Sequence, residues 1–192
     1  MTNFAGKLPR RAILTEDPLR ARMLVAHHLE YAEPVYENDD ILMYSGSYNG
    51  TAIALISTGF GPVAPWLAEA GRLGVSELLY IGECVSQSHP LRTVVLADSG
   101  DDALLMRAKN EAARIDIPVI VQNVSSQRDA PQGSVFAPVA TEMSEYAREN
   151  GLALLSILTV TVDSRTGEEM EEHERRSRLY AASRLAFEVC NI

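Results

Sequence analysis

The stretch Leu152–Val162, "LALLSILTVTV", is an apolar and β-branched run without the strict alternation of a strand that keeps one face in water. A strand of this kind has to be covered on both faces, so the chain must supply a sheet with helices packed on either side. It does. Strand-like runs recur as "RAIL" at 11–14, "ILMYSGSYNGTAIALIST", "SELLYIG", "RTVVLAD" and "IPVIVQNV". The second contains Asn49-Gly50, a dipeptide that tolerates positive φ and marks a hairpin. Asp17 followed by Pro18 is a helix opening, a capping side chain and then proline in the first turn. That helix is expected to run through "LRARMLVAHHLEYAE" with Leu19, Met23 and Ala26 on one side. Further helices are expected in "APWLAEAGRLG", "DDALLMRAKNEAARID" and "TEMSEYARENG", and from about Glu168 to Cys190. Interleaved in this order, the elements predict an α/β domain with a mixed, largely buried sheet. At 192 residues, 46% of them hydrophobic, the chain reads as one domain spanning 1–192.

The formal net charge of −9 argues against a grip on nucleic acid or an anionic membrane, both of which need clustered Lys and Arg. No apolar run reaches the ~20 residues of a membrane span. The start "MTNFAGKLPRRAILTEDP" lacks the apolar middle of a secretion signal, so a cytoplasmic protein is expected. Cys84 and Cys190 are far apart and form no metal-binding spacing; both are expected as buried thiols. Neighbouring His27 and His28 point in different directions on a helix and read as ordinary helix residues. No metal site and no cofactor is expected.

In α/β sheets ligands bind beyond the carboxyl ends of the strands. That rule gathers "TEDP", "STGFG", "YIGEC" and "TVTVDSRTG" around one crevice. "YIGECVS", Tyr80–Ser86, reads as a strand end running into a turn that carries Glu83. An ionised group in such a place must be paired, hydrated or used.

The order "AILTEDPLRAR", "YSGSYNG", "STGFG", "YIGECVS" and "LTVTVD" resembles the nucleoside phosphorylase family, which includes purine nucleoside and uridine phosphorylases and related nucleosidases. The likeness covers about residues 11–100 and resumes from about 135. It implies a three-layer α/β/α sandwich with a mixed, distorted central sheet. It also implies cleavage of a nucleoside N-glycosidic bond by phosphate or water, and a homo-oligomer, dimer or hexamer, whose sites are completed by a neighbour. The phosphorylases' first turn is GDPxR; here Glu16 stands at the glycine and Arg20 keeps the arginine. An arginine lent by the neighbouring subunit matches Asp39, an arginine on the next strand matches Tyr80, and the Ser or Thr three residues later matches Glu83. Phe60 takes the place of a methionine beside the ribose. Pro138 and Val139 fall where a Met-Glu pair binds ribose, with Glu142-Met143 reached only by a shift. Asp163 matches, within one residue, the aspartate that protonates the leaving base. The chain is also shorter than family members, after "VVLAD" and before "TEMSEY".

Three of these changes place a carboxylate where the family has a neutral or cationic phosphate contact, and a fourth removes a cation. Two unit charges ~4 Å apart repel by roughly 4 kcal/mol at an effective dielectric of ~20, enough to erase useful phosphate affinity. Phosphate is therefore not expected as a substrate, and water is. Glu16 or Glu83 then sits where a general base belongs, Asp163 where the leaving base is protonated, and Arg20, Asp39, Phe60 and Tyr80 line the substrate. Against these stand plainer readings: Glu83 paired internally with Arg20, Glu16 a solvated turn residue, Asp163 a cap of the following helix. A repurposed enzyme for another polar or cationic small molecule, or a catalytically silent subunit, is the alternative to a hydrolase.

Overall fold

The computed structural model describes residues 7–97, 101–127 and 134–192, without the side chains of 176–178. The elements are β1 (Arg11–Thr15), α1 (Pro18–His28), β2 (Glu30–Glu37), β3 (Leu42–Tyr48), β4 (Thr51–Ser57), α2 (Ala64–Arg72), β5 (Glu77–Ser86), β6 (Val94–Ala97), α3 (Asp102–Arg114), β7 (Val119–Ser125), β8 (Ser134–Phe136), α4 (Pro138–Asn150), β9 (Ala153–Asp163), β10 (Glu168–Glu169) and α5 (Glu172–Cys190). Among the described residues they build one ten-stranded mixed sheet in the order β10-β9-β6-β7-β8-β5-β1-β4-β3-β2. β9 pairs also with β5, so β5, β9, β6, β7 and β8 curl into a ring. On one face Ala21 and Leu24 of α1, Leu104 and Ala108 of α3, and Leu185 and Phe187 of α5 pack on Ile13, Leu79 and Ile157. On the other, Leu67 of α2 and Met143 of α4 pack on Leu14, Leu78 and Leu158. The three layers follow from a central strand that is apolar on both sides: Leu154 through Val160 are all buried. No described helix is long and apolar enough to cross a membrane.

Local signals act where they were expected to. Asp17 accepts a hydrogen bond from the Leu19 N–H at 2.8 Å and caps α1. Asn49 and Gly50 both take positive φ, 49° and 81°, and turn β3 into β4. Cys84 and Cys190 are free, buried thiols whose pKa burial pushes up to about 12.

Four expectations are corrected. α1 stops at His28, because Leu29 is extended and the next residues pair with β3 as an edge strand. It docks through Ala21 and Leu24, whose face meets the sheet, and leaves Leu19 and Met23 exposed. α5 begins at Glu172; Glu168 and Glu169 instead pair back onto Asp163 and Val162. Finally, "YIGECVS" is strand throughout. β1 pairs with β5 only as far as Tyr80, but β9 continues beside it to Ser86 and β8 joins at Val85, with a bulge at Cys84/Val85. Glu83 thus projects from a strand just past the point where β1 has turned away.

Candidate functional site

Where β1 leaves the sheet, its following turn carries Glu16 and Asp17, and α1 carries Arg20 back over the gap. β5 supplies Glu83, the turn after β4 supplies Phe60, and the first turn of α5 supplies Glu172 and Arg175. These seven residues line an open cleft of about 370 Å³. Ser57 secures the first turn by donating its hydroxyl to the Glu16 carbonyl at 3.2 Å. Gly59, at φ 65° against Asp40, makes the turn that leaves Phe60 exposed at the cleft.

Glu83 is held by two cations. Arg20 Nη2 donates to one carboxylate oxygen at 2.9 Å and also reaches Thr15 Oγ1 at 3.3 Å through Nη1. Arg175 Nη1 lies 3.6 Å from the other oxygen. Arg175 is aimed by its Nε–H, which donates to the Met170 carbonyl at 3.0 Å, and by Glu169 at 3.4 Å. The sequence had no signal that singled out Arg175 among the Arg and Glu residues of "GEEMEEHERRSR". Its relevance comes from α5 folding over the sheet so that its first turn meets Glu83. Glu172 was missed for the same reason.

Glu16 is set apart from Glu83 by its environment. The Tyr80 hydroxyl donates to Glu16 Oε2 at 2.6 Å. Burial raises the Glu16 pKa above its usual 4.5, the Tyr80 bond and Arg20 oppose the rise, and Glu83 and Glu142 add to it. Tyr80 was expected to line the substrate. It is instead 1% exposed, behind Glu16 and outside the cleft, since its ring enters the layer under α2 and α4 and only the hydroxyl needs a polar partner. Burial and the adjacent Glu16 push its own pKa well up, so the phenol stays protonated and able to donate.

Gly82 makes that seat possible. Residues two apart share a strand face, and a Cβ on Gly82 would lie 2.4 Å from the Tyr80 ring. Gly82→Ala is expected to cost about 1–3 kcal/mol, as overpacking of a filled core does. Urea midpoints check this, and in a Tyr80→Leu background the same change should cost less than about 1 kcal/mol.

Asp163 does not reach the cleft. It pairs in register with Ser86, three residues beyond Glu83, or roughly 10 Å along the strand. Its carboxylate accepts from Arg165 Nη2 at 2.7 Å, Nε at 3.1 Å and the backbone N–H at 3.0 Å, closing the turn into β10. Those bonds hold its pKa down at about 2, which corrects both its expected roles: it is a committed anion rather than a proton donor, and it caps a hairpin turn rather than a helix. Because the folded value lies below the ordinary 3.8, the stabilisation is complete above that pH and is lost as pH falls toward about 2. Asp163→Asn should lower the urea midpoint at neutral pH and leave it nearly unchanged near pH 2. Asp39 is exposed in the turn between β2 and β3 and does not line the cleft of its own chain. Among the described residues no group of three or more His, Cys, Asp or Glu is placed to hold a metal ion.

Comparison with known proteins bears on what this cleft is. No family model matches the chain. It is similar to the DeoD-type purine nucleoside phosphorylase of Bacillus velezensis, 27% identical over 218 alignment positions that span 94% of each protein. It is 28% identical to that of Psychromonas ingrahamii, across 90% of this chain and 89% of the relative. Its fold superposes on a crystal structure of purine nucleoside phosphorylase from Toxoplasma gondii in complex with immucillin-H, with a TM-score of 0.80, 14% identity, and coverage of 96% of this chain and 91% of the other. In sequence and in fold the chain is similar to nucleoside phosphorylases. The nucleoside phosphorylase fold accounts for the curled, mixed sheet between two helical layers. The place after "VVLAD" where the chain is expected to be shorter falls at 98–100, outside the described residues.

Proposed function

We propose that this protein cleaves the N-glycosidic bond of a nucleoside-like small molecule with water in place of phosphate. The seat of Glu83 carries the reading. Its carboxylate is bonded to Arg20 at 2.9 Å and faces Arg175 at 3.6 Å, so both guanidiniums are turned to an anion that belongs to the protein. A phosphate entering there would have to displace that carboxylate and then lie against it. The likeness to purine nucleoside phosphorylases supports an enzyme acting on an N-ribosyl compound.

Glu16 supplies the base. It lines the cleft, its raised pKa brings it closer to the value a general base needs, and Tyr80 fixes its orientation. Water loses a proton to Glu16 as its oxygen adds to the sugar's anomeric carbon; the bond to the base breaks, its electron pair passes to the ring nitrogen, and the base takes up a proton from solvent in the open cleft while Glu16 returns its own to solvent. The carboxylates around the cleft favour the positive charge that develops on the sugar. Arg20 and Phe60 bound the space the substrate enters. A cytoplasmic homo-oligomer, with Asp39 presented to a neighbour, stays part of the proposal, and light scattering of the purified chain reads the assembly.

The test is incubation with a panel of nucleosides, with and without phosphate, and chromatography for free base and sugar. Release of base and free sugar at a rate unchanged by phosphate is expected. Release that depends on phosphate and yields a sugar phosphate overturns the proposal, as does no release from any nucleoside.

A further inference from the structure

A second hollow, of about 300 Å³, runs along the seam between α1 and α5. Leu19, Met23 and Leu24 of α1 and Leu179 and Tyr180 of α5 form its walls. Three of the eight large apolar side chains that stand exposed among the described residues, Leu19, Met23 and Tyr180, ring this one opening. Exposed apolar side chains are ordinarily scattered singly, whereas a cluster of them around a concavity marks a binding surface. A hollow of this volume fits a small molecule.

Its inner wall carries no charge. His28 stacks on Phe187 with ring centres 4.5 Å apart, and Tyr180 lies at 5.7 Å. Burial, and then the neighbouring His27, lower the His28 pKa from its ordinary 6.5. Its Nε2 is buried with no hydrogen-bond partner among the described residues, so a second ring proton would go unpaired there and the imidazole is neutral at neutral pH. The Ser183 hydroxyl donates to the Leu179 carbonyl at 2.8 Å. An occupant thus meets apolar and aromatic surface.

The mouth is different. Asp17 and Arg20 line it as well as the cleft, but Asp17 caps α1 through the Leu19 N–H and Arg20 is bonded to Glu83. Arg22 is held loosely. Its Nη2 alone reaches partners, the Asn38 carbonyl at 3.4 Å and Glu37 at 3.6 Å, and the other Glu37 oxygen already accepts the Tyr44 hydroxyl at 2.7 Å. The Arg22 Nη1 and Nε–H have no partner among the described residues, and they stand beside Met23 at the edge of the apolar walls. Five residues of helix, roughly 7–8 Å, separate this guanidinium from the Asp17 carboxylate.

We propose that the groove between α1 and α5 binds a small amphiphilic carboxylate, its ring or short chain among Met23, Leu179 and Tyr180 and its anion on Arg22. The apolar body covers side chains that otherwise face water. A charge-assisted bond to the guanidinium selects a carboxylate over a neutral head group. The site is separate from the chemistry of the cleft and requires none of it.

The experiment is calorimetric titration of the purified chain with phenylbutyrate, with phenylbutanol, which has the same body without the charge, and with butyrate, which has the charge without the ring. Phenylbutyrate is expected to saturate the protein with a Kd of about 1 mM or below, within reach of a ligand of its size. It should bind about 3–10-fold more tightly than the alcohol, and butyrate should not bind. Arg22→Gln should erase the preference for the acid. Met23→Glu and Leu19→Glu, both at exposed positions, should each weaken the acid by at least about 10-fold, because they set a carboxylate against its apolar body and its charge. Urea midpoints near the wild-type value show that the variants are folded. No saturable binding, equal affinity for the alcohol or for butyrate, a preference for the acid that survives Arg22→Gln, or affinity that survives both glutamate variants overturns the proposal. Binding lost in Arg175→Gln but kept in Met23→Glu places the anion in the cleft and overturns it too. So does a wild-type assembly that Met23→Glu takes apart in sedimentation, since a second copy of the chain is then the occupant.

Discussion

Glu16→Gln is expected to lower kcat for N-glycosidic hydrolysis by roughly 10²–10⁴-fold, the range a positioned general base contributes. Glutamine keeps the shape of the side chain, and its carbonyl can still accept the Tyr80 hydroxyl that lies 2.6 Å from Glu16 Oε2. What it removes is the ability to take a proton from water. The wild-type profile should carry the mark of this group: kcat rises with pH as Glu16 ionises, and because its pKa is raised, the acidic limb lies above the ordinary 4.5. In the variant that limb should vanish from the residual rate while the urea midpoint stays near the wild-type value. A Glu16→Gln protein that keeps full activity would remove Glu16 from the chemistry.

Glu83→Ser is expected to give the protein a phosphate site. The substitution leaves Arg20 and Arg175 facing a hydroxyl instead of a carboxylate, with both guanidiniums still aimed by Thr15, Met170 and Glu169. Two guanidiniums, 16% and 32% exposed, then offer charge-assisted donors to an anion from solvent. Without phosphate the loss should be small, about 0–1 kcal/mol for each partly exposed pair. With phosphate at ~10 times its dissociation constant, mass action returns about 1.4 kcal/mol, or roughly 3–6 °C in Tm for a domain of this size. The wild type should show no such shift. Thermal scans across a phosphate series read both proteins, and equal responses would mean that Glu83 is not what keeps phosphate out.

The parts of the fold that could be read directly were those with local causes. Asp17-Pro18 starts a helix wherever it meets apolar spacing, and Asn49-Gly50 turns a hairpin because both residues accept positive φ. The apolar run of β9 demanded cover on both faces and received it. The errors were non-local. The stretch after His28 has helix-compatible residues, yet β3 offers an edge whose hydrogen bonds Glu30–Glu37 complete. "GECVS" looks like a turn from its own composition and is a strand because β8 and β9 hold it on both sides.

The same division runs through the site. By itself the sequence determined that the strand ends carrying Glu16, Arg20 and Glu83 gather around one crevice, and one cleft holds all three, since ligand-facing turns lie beyond the carboxyl ends of the strands of an α/β sheet. Only the tertiary structure decided what each carboxylate faces. Arg175 closes on Glu83 because α5 crosses the carboxyl end of β5, Tyr80 turns away from the cleft because Gly82 leaves room for its ring, and Asp163 is taken up by Arg165 in a hairpin that no residue pattern announced. Charge is written in the chain residue by residue, but the pairing of charges depends on distances of 3–4 Å between elements far apart in it, and those are set by packing.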